Sequence, residues 1–420
     1  MLWTGAEVAE LDGFSFLQGR RVAVVGNPSS LVRTARLGPG RHHLVDALRS
    51  HGVQVVRLFG PEHGLWSTAQ DLIPVEGGRD PVFDLEVATL YGRSVDSLTP
   101  RPEVLRGLDV VVFDVQDVGA RYYTYAATLC MTLAACANAG VQVVVLDRPN
   151  PLGGETVEGN EVGSNYRSFV GYIDLPQRHG LTLGEIGRLH AHEQGLDVDL
   201  NVVACRGWDP ALHLDECDDG GLGSPWYAPS PNMPTVATAV VYPGTCLVEG
   251  TRLSEGRGTT RPFELVGAPW LDARKLADRL MDLGIPGLLA RPMRYEPTFQ
   301  KFAGQACGGV ALDVTNRQVF PSVRAGVAVI QAMREQDVAR FEWRTEVYEF
   351  VSDRLAIDLL MGGTHARTVL EAGGDYRDAC SDFAQAERVF ARRALPHLIY
   401  PRARGVLADS DAGLADRGTP

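Results

Sequence analysis

The chain has 420 residues, of which 45% are hydrophobic and 22% are charged, and its formal net charge is -12. This composition is that of a folded globular protein and excludes a disordered or fibrous chain, while the length favours two domains. The net negative charge, without a basic stripe, excludes nucleic acid as an expected partner.

The start of the chain and the cysteines predict where the protein resides. The first residues, MLWTGAEVAELDGF, have neither the basic residues nor the apolar run of a secretory signal. No stretch reaches the roughly 18 consecutive apolar residues of a membrane helix. The seven cysteines are scattered without CxxC pairs, as in a protein with reduced thiols and no zinc site. We therefore predict a cytoplasmic protein that does not contact a membrane.

The first part of the chain alternates predicted strands and helices. Short branched-aliphatic runs at residues 21–25, 53–59, 110–115 and 141–146 are typical of buried parallel strands. Helical patterns lie between them at residues 42–50 and 123–139, and the second of these ends before Gly140. This βαβα order predicts a Rossmann-like, doubly wound parallel-sheet domain, which we place at residues 1–175.

The second part predicts a smaller, mixed α/β domain at residues 176–400 that completes a cleft. Its pattern predicts a capped helix at 180–195, a strand at 238–242, a glycine-rich loop at 244–267, a helix at 272–283, a strand at 309–314 and helices at 322–336 and 382–393. Residues 401–420 lack an apolar period and are predicted to be a flexible tail.

Ligands of doubly wound sheets bind at the carboxyl ends of the strands. The first predicted strand runs into GNPSS, which includes the candidate Asn27 but is neither a GxGxxG motif nor a P-loop. The segment HAHEQG is not a HExxH motif. We therefore expect neither a cofactor nor a metal ion.

The motif GPEHG follows the second predicted strand and places Glu62 and His63 in a sharp turn. Glu62 is the candidate general acid, because a glutamic acid in a partly apolar cleft is suited to donate a proton. His63 is expected to form a hydrogen bond near it. The alternative is a strand-ending turn with a solvated glutamate.

The segment VFDVQDVGARYYTY follows the third predicted strand and favours a sugar site. Carboxylate and amide groups bind hydroxyls, aromatic faces contact a pyranose, and arginine binds an anionic substituent. The alternative is a charged loop with an Asp–Arg pair and tyrosines in the core. The candidates in this segment are Asp114, Gln116, Asp117, Arg121, Tyr122 and Tyr123.

Three further motifs supply candidate residues. LDRPNPLGGETVEG leaves the fourth predicted strand, PSPNMPT is a turn stiffened by proline, and EGTRLSEGRGTTRPFE is a polar glycine-rich loop. The alternatives are a turn capped by an aspartate, an Asp–Arg pair, a domain linker and a surface loop. The candidates are Asp147, Arg148, Asn150, Glu158, Ser230, Asn232, Glu249, Glu255, Arg257 and Thr259.

Taken together, these strings resemble the DUF1343 family, which is associated with exo-β-N-acetylmuramidase activity. The resemblance covers about residues 13–400 and rests on LFGPEHG, VFDVQDVGARYYTY, VLDRPNPLGG, SFVGYIDLPQRHGLTLGEI, PSPNMPT, YPGTCLVEGTRLSEGRGTTRPFE and GAPW. It implies a glycoside hydrolase that removes N-acetylmuramic acid from the non-reducing end of peptidoglycan fragments, with a Rossmann-like domain and a second α/β domain. It also places Glu62 at the position of the family's proposed catalytic glutamate.

Glycoside hydrolysis normally uses two carboxyl groups. The candidate partners of Glu62 are Asp114 or Asp117, then Glu158, then Glu255. An arginine, Arg121, Arg148 or Arg257, is expected to bind the lactyl carboxylate of muramic acid. Tyr122, Tyr123 and Asn232 are expected to position the sugar ring.

The expected partner is a small sugar substrate, either a muropeptide or a disaccharide that contains N-acetylmuramic acid. A homodimer is compatible with the sequence. The alternative function is a non-catalytic protein that binds cell-wall fragments. Hydrolysis of an amide or ester is disfavoured, because the sequence has no GxSxG motif and no Cys–His pairing.

Overall fold

The computed structural model describes residues 1–70, 72–217 and 224–408. The strands in these residues are β1 (Arg21–Gly26), β2 (Leu31–Arg33), β3 (Arg41–His43), β4 (Gln54–Gly60), β5 (Gly78–Asp80), β6 (Leu85–Thr89), β7 (Val110–Asp114), β8 (Gln142–Leu146), β9 (Leu200–Val203), β10 (Leu265–Ala268), β11 (Leu288–Tyr295) and β12 (Cys307–Val314).

The helices in the same residues are α1 (Gly5–Glu10), α2 (Leu44–Ser50), α3 (Pro102–Leu105), α4 (Tyr125–Ala139), α5 (Leu183–Glu193), α6 (Val236–Thr245), α7 (Ala273–Asp282), α8 (Ser322–Gln336), α9 (Ala356–Met361), α10 (His365–Glu371), α11 (Tyr376–Ala379) and α12 (Phe383–Ala394). None of them is long and apolar enough to cross a membrane.

The large sheet has seven strands in the order β5-β6-β4-β1-β7-β8-β9. All neighbouring pairs are parallel except the edge pair β5–β6. From β1 the chain continues to one side of the sheet at β4 and later to the other side at β7. The strand order therefore reverses beside β1, and such a reversal leaves a crevice at the carboxyl ends of the strands.

Both faces of the large sheet are buried. On β1, Val22 and Val24 belong to one hydrophobic cluster, whereas Ala23 and Val25 belong to the other. Successive strand residues point to opposite faces, so continuous branched-aliphatic runs are needed to cover both. This confirms the predicted Rossmann-like, doubly wound sheet.

The second part contains the antiparallel sheet β10-β12-β11, covered by helices. Its residues Val310 and Leu312 belong to the same hydrophobic cluster as Val111 and Phe113 of the large sheet, so the two parts share one core. The predicted second, smaller mixed α/β part is thus confirmed. The domain limits stay a prediction, and β9 lies beyond residue 175 although it pairs with β8.

The strand predicted at residues 238–242 is wrong, because these residues lie within α6. The run TAVVY is short and, apart from Thr238, apolar, and periodicity cannot separate a buried strand from a buried helix in such a run. Thr235 provides the helix signal, since its side chain accepts a hydrogen bond from the Thr238 N–H. The loop predicted from residue 244 accordingly begins inside this helix and ends in β10.

Several other predicted elements are confirmed, including α8 at 322–336 and α4, which ends at Gly140 with a φ of 64°. The beginning of the predicted tail is packed. Arg402 donates to Glu185 over 2.7 Å, and Leu407 is buried. Residues 409–420 of that predicted tail lie outside the described residues.

Candidate functional site

A narrow cavity lies where the carboxyl end of the large sheet meets the second part of the chain. Its volume is about 40 Å³, which is room for about three water molecules. The segments after β4 and β7 form one wall through Glu62, His63, Tyr122, Tyr123 and Thr124. The second part supplies Ser230, Asn232, Glu249, Arg257, Phe263, Tyr348 and Glu349.

Glu62 follows β4 in a tight turn. The Gly64 N–H donates to Pro61 O over 2.9 Å, and His63 and Gly64 both have a positive φ, of 67° and 81°. A Cβ atom at residue 64 would lie 3.2 Å from a methyl carbon of Val75, which favours glycine there. The turn presents Glu62 to the cavity, although the residue is only 6% exposed.

Glu62 is oriented by Thr124 rather than by His63. The Thr124 hydroxyl donates to Glu62 Oε2 over 2.5 Å. His63 was predicted to form a hydrogen bond near Glu62. In the structure, His63 Nδ1 donates to Ala69 O over 3.0 Å instead. His63 therefore fixes the turn that carries Glu62.

The opposite wall carries a buried ion pair. Arg257 donates to Glu249 Oε1 over 2.7 Å and packs over the Phe263 ring at 4.9 Å. The Tyr348 hydroxyl donates to Glu249 Oε2 over 2.9 Å. Burial alone would raise the pKa of Glu249, but the charge and hydrogen bond of Arg257 outweigh it and lower that pKa. Glu249 is therefore ionised at neutral pH.

Two further polar side chains, Tyr123 and Asn232, line the cavity. The buried Tyr123 hydroxyl lies beside Ser230 and makes no hydrogen bond of normal geometry within the described chain. Asn232 donates to Gln70 Oε1 over 2.7 Å, which joins the loop after β4 to the segment before α6. The Tyr123 hydroxyl is thus ready for a polar group of a ligand.

Backbone strain concentrates around the cavity. Ten non-glycine residues of the described chain have a positive φ, and four of them line the cavity: His63, Leu72, Phe263 and Glu349. Such conformations are costly for most side chains and persist where the surrounding structure enforces them, as at active sites. This clustering independently indicates a functional site.

The structure does not bring the four predicted partners of Glu62 to the cavity wall. Asp114 binds Arg148 through both oxygens, at 2.6 and 3.1 Å, and burial raises its pKa despite that arginine. Asp117 accepts from the Gly119 N–H at 2.7 Å. Glu158 accepts from two backbone N–H groups at the start of α8, and Glu255 pairs with Lys301 at 2.8 Å.

Of the three arginines predicted to bind the lactyl carboxylate, Arg257 alone lines the cavity. Arg121 is 3% exposed and donates to the carbonyls of Asn160, Leu175 and Leu360, each over 2.7 Å. Burial lowers the pKa of Arg121 to about 10. Arg148 is paired with Asp114 beside a separate small pocket, which Gln116 also lines.

Other predicted ligands of the substrate have structural partners. Asp147 accepts hydrogen bonds from Thr182 and from the Gly184 N–H at the start of α5. Asn27 donates to the Tyr125 hydroxyl, and Asn150 donates to Leu181 O. Thr259 donates to Gly256 O. None of these residues lines the cavity.

Sequence reasoning missed Thr124, Tyr348 and Glu349. Thr124 lies within the motif VFDVQDVGARYYTY and was detectable by its neighbours. Tyr348 and Glu349 lie in the segment TEVYEFVSD, which has no recognisable motif, and their place at the cavity depends on contacts with distant parts of the chain.

The fold and the site together define an α/β enzyme with a carboxylate-lined cavity at the strand ends. The family model for the N-terminal part of exo-β-N-acetylmuramidase NamZ matches residues 22–237, and the model for its C-terminal part matches residues 240–400. The chain belongs to this family.

Two relatives agree with this assignment, and a third agrees in its fold. The peptidoglycan β-N-acetylmuramidase NamZ of Bacillus subtilis (strain 168) is 36% identical over 94% of this chain and 91% of that protein. A crystal structure of a DUF1343 family protein from Bacteroides fragilis is 30% identical, with a TM-score of 0.81 over 95% of this chain and 99% of that one. A second DUF1343 structure from the same organism is 24% identical, with a TM-score of 0.71 and the same coverage, and it supports the fold.

Proposed function

We propose that the protein is an exo-acting glycoside hydrolase that releases N-acetylmuramic acid from the non-reducing end of peptidoglycan fragments. The observation that carries this proposal is the placement of Glu62. In a chain of the NamZ family, a buried glutamate held by Thr124 faces the cavity at the carboxyl end of the sheet. This is the position in which doubly wound folds bind ligands.

Glu62 acts as the general acid. As the glycosidic bond breaks, the leaving oxygen takes the proton of Glu62. Glu249, which is ionised, places negative charge near the ring as positive charge develops on it. Arg257 is the proposed ligand of the lactyl carboxylate, since it is the cavity-lining arginine among the three candidates.

Substrate entry requires the rim of the cavity to move, because a sugar ring is larger than the three or so water molecules for which the cavity has room. Asn232 binds Gln70, and Pro229 O accepts hydrogen bonds from the side chains of Ser67, Asn27 and Tyr125. The hydrogen bonds of Asn232 and Ser67 link this segment to the loop after β4, and contacts with the sugar can replace them.

The test is release of 4-nitrophenol from its β-N-acetylmuramide and its β-N-acetylglucosaminide, compared side by side. We expect the wild type to cleave the muramide alone, with or without a chelator. In Glu62→Gln, which keeps the shape of the side chain, we expect kcat on a natural muramyl disaccharide to fall by about 10²–10⁴-fold.

The matched control is Glu76→Gln, because Glu76 is exposed and pairs only with the equally exposed Arg93 among the contacts seen for it. The control should keep wild-type kcat. Near-wild-type kcat in Glu62→Gln would remove Glu62 from the acid role. Binding of muramyl ligands without cleavage by the wild type would instead favour a non-catalytic binding protein.

The cytoplasmic location and the homodimer stay predictions.

A further inference from the structure

The cavity offers two further carboxylates as partners of Glu62. Among the described residues they are Glu249 and Glu349. Both oxygens of Glu249 are engaged, Oε1 by Arg257 at 2.7 Å and Oε2 by the Tyr348 hydroxyl at 2.9 Å. The positive charge of Arg257 stabilises the ionised form of Glu249 and so makes it a weak proton acceptor. The turn that carries Glu349 points to the second carboxylate instead.

Glu349 lies in a turn that is unusual for its sequence. Tyr348 and Val351 exchange backbone hydrogen bonds of 3.0 and 2.9 Å, so Glu349 and Phe350 are the two central residues of a tight hairpin. Both have a positive φ, of 44° and 68°. Hairpin turns with two such residues strongly favour Asn-Gly. In the described chain, no other two adjacent non-glycine residues both have a positive φ.

This turn is buried and tied to the strand that carries Glu62. Glu349 is 7% exposed, and the Tyr91 hydroxyl donates to its Oε2 over 3.1 Å. Tyr91 follows β6, and the neighbouring Leu90 N–H donates to Gly60 O over 2.8 Å. Gly60 lies two residues before Glu62. Tyr91 therefore sets the position of Glu349 relative to the proposed acid.

A buried turn keeps residues that are unfavourable for its backbone conformation where those residues serve a function, because more favourable residues could not perform it. We infer that Glu349 is the second catalytic carboxylate and that it removes a proton from the attacking water. The cavity that both glutamates line has room for water. This inference rests on the proposed function and names the base for the same site.

The reaction then balances between the two glutamates. The bond from the anomeric carbon to the leaving oxygen breaks, and its electron pair stays on that oxygen, which takes the proton of Glu62. The oxygen of water bonds to the anomeric carbon, and one water proton passes to Glu349. Return of that proton through solvent restores Glu62, so the net reaction consumes one water molecule.

The first test is Glu349→Gln in the full-length chain, with the wild type and Glu62→Gln measured alongside on a muramyl disaccharide. We expect kcat to fall by about 10²–10⁴-fold and KM to change much less. The matched control is Glu346→Gln, an exposed glutamate three residues earlier that pairs with Arg252, and it should keep wild-type kcat. A wild type without activity contradicts the proposed function, whereas an active Glu349→Gln overturns only the present inference.

The second test separates catalysis from a structural role. Asparagine suits a central position of this turn better than glutamate, which offsets the lost hydrogen bond from Tyr91. Glu349→Asn should therefore keep a Tm near that of the wild type while kcat falls by at least about 100-fold. A residue with a purely structural role would give loss of both Tm and activity, and that result would contradict the inference.

The third test supplies a nucleophile that needs no base. In Glu349→Ala, azide should restore release of 4-nitrophenol from the muramide and yield the α-glycosyl azide. Direct attack from the face opposite the leaving oxygen inverts the anomeric carbon. Absence of rescue, or formation of the β-azide, would therefore overturn the proposed role of Glu349.

Discussion

At the scale of single residues, the hydrogen bond from Thr124 to Glu62 decides how the proposed acid is aimed. Thr124 lies just before α4, is 5% exposed and makes no capping hydrogen bond to that helix, so its buried hydroxyl is directed to Glu62. A short hydrogen bond from a buried hydroxyl restricts a carboxylate to one orientation. Thr124 is therefore a positioning residue for Glu62.

Thr124→Val keeps the volume of the side chain but removes the donor. We expect kcat to fall by about 10–100-fold, with a smaller change in KM, because the misaligned acid affects the chemical step. Thr124→Ser, which restores the hydroxyl, should recover most of the lost kcat. Steady-state kinetics of both variants check this, and equal kcat in the valine and serine variants would contradict the positioning role.

At the scale of secondary-structure elements, the Glu158 side chain caps the N-terminal end of α8 from a distant part of the chain. Its carboxylate accepts from the N–H groups of Val323 and Arg324 at 3.1 and 2.8 Å, and it pairs with the Arg324 side chain at 3.3 Å. The first N–H groups of a helix lack partners within the helix, and a negative charge there is favourable. The position of Glu158 is thus explained by stability.

Glu158→Gln tests whether this carboxylate also takes part in catalysis. We expect the free energy of unfolding to fall by about 1–2 kcal/mol, since the charge is lost while one acceptor oxygen remains. We expect kcat on the muramyl disaccharide to stay within about twofold of wild type, because a group that only caps a helix contributes nothing to the chemical step. Denaturant unfolding and steady-state kinetics check the two expectations, and a large loss of kcat in a stable variant would restore Glu158 as a catalytic candidate.

The elements show which features a sequence can predict. The strands of the large sheet were predictable because both faces are buried, which requires continuous apolar runs. Helix α6 was not predictable, because it is buried on nearly all sides and therefore has no apolar stripe. Glu62 was found because its motif directly follows a strand. Glu349 was hidden, because its contact with Tyr91 joins residues 258 positions apart.

Arg121 is a residue that the sequence assigned to the site although the structure gives it a different role. Its charge beside tyrosines was typical of a sugar site, yet three backbone carbonyls from separate segments surround it. Partners of this kind are set by the tertiary fold and leave no pattern in the sequence around the arginine. The sequence therefore located the edge of the sheet at which the site lies more reliably than the residues that form its walls.

At the scale of the whole molecule, the continuous core limits how the cleft can open. Val111 and Phe113 of the large sheet and Val310 and Leu312 of the second sheet belong to one hydrophobic cluster. Rigid separation of the two parts would expose this core to water at a large cost. Movement of the loop after β4 at the rim breaks the hydrogen bonds of Ser67 and Asn232 but does not separate the two sheets, so it costs less.

The buried histidines of the molecule predict how its stability depends on pH. Burial lowers the pKa of His43, His190 and His213 from 6.5 to about 4 in each case. Between pH 6.5 and 4 the unfolded chain therefore binds protons that the folded chain does not, so the free energy of unfolding falls as the pH falls through this range. Each histidine contributes at most about 3 kcal/mol to this loss. Burial raises the pKa of Asp147 to about 6 and also raises the pKa values of Asp114 and Glu387, and these carboxyl groups act in the opposite direction.

His43→Asn isolates one of these contributions. His43 Nδ1 accepts from the Val45 N–H at the start of α2, and asparagine can supply the same cap without titrating. The variant should have a lower Tm at pH 7, because contacts of the His43 ring with Phe83 at 4.8 Å are lost. Its Tm should nevertheless fall less between pH 7 and pH 5 than that of the wild type, whereas the exposed His192→Asn should follow the wild type. Thermal unfolding at both pH values tests this expectation. A fall in Tm for His43→Asn as large as that of the wild type would show that groups other than His43 cause the loss of stability in acid.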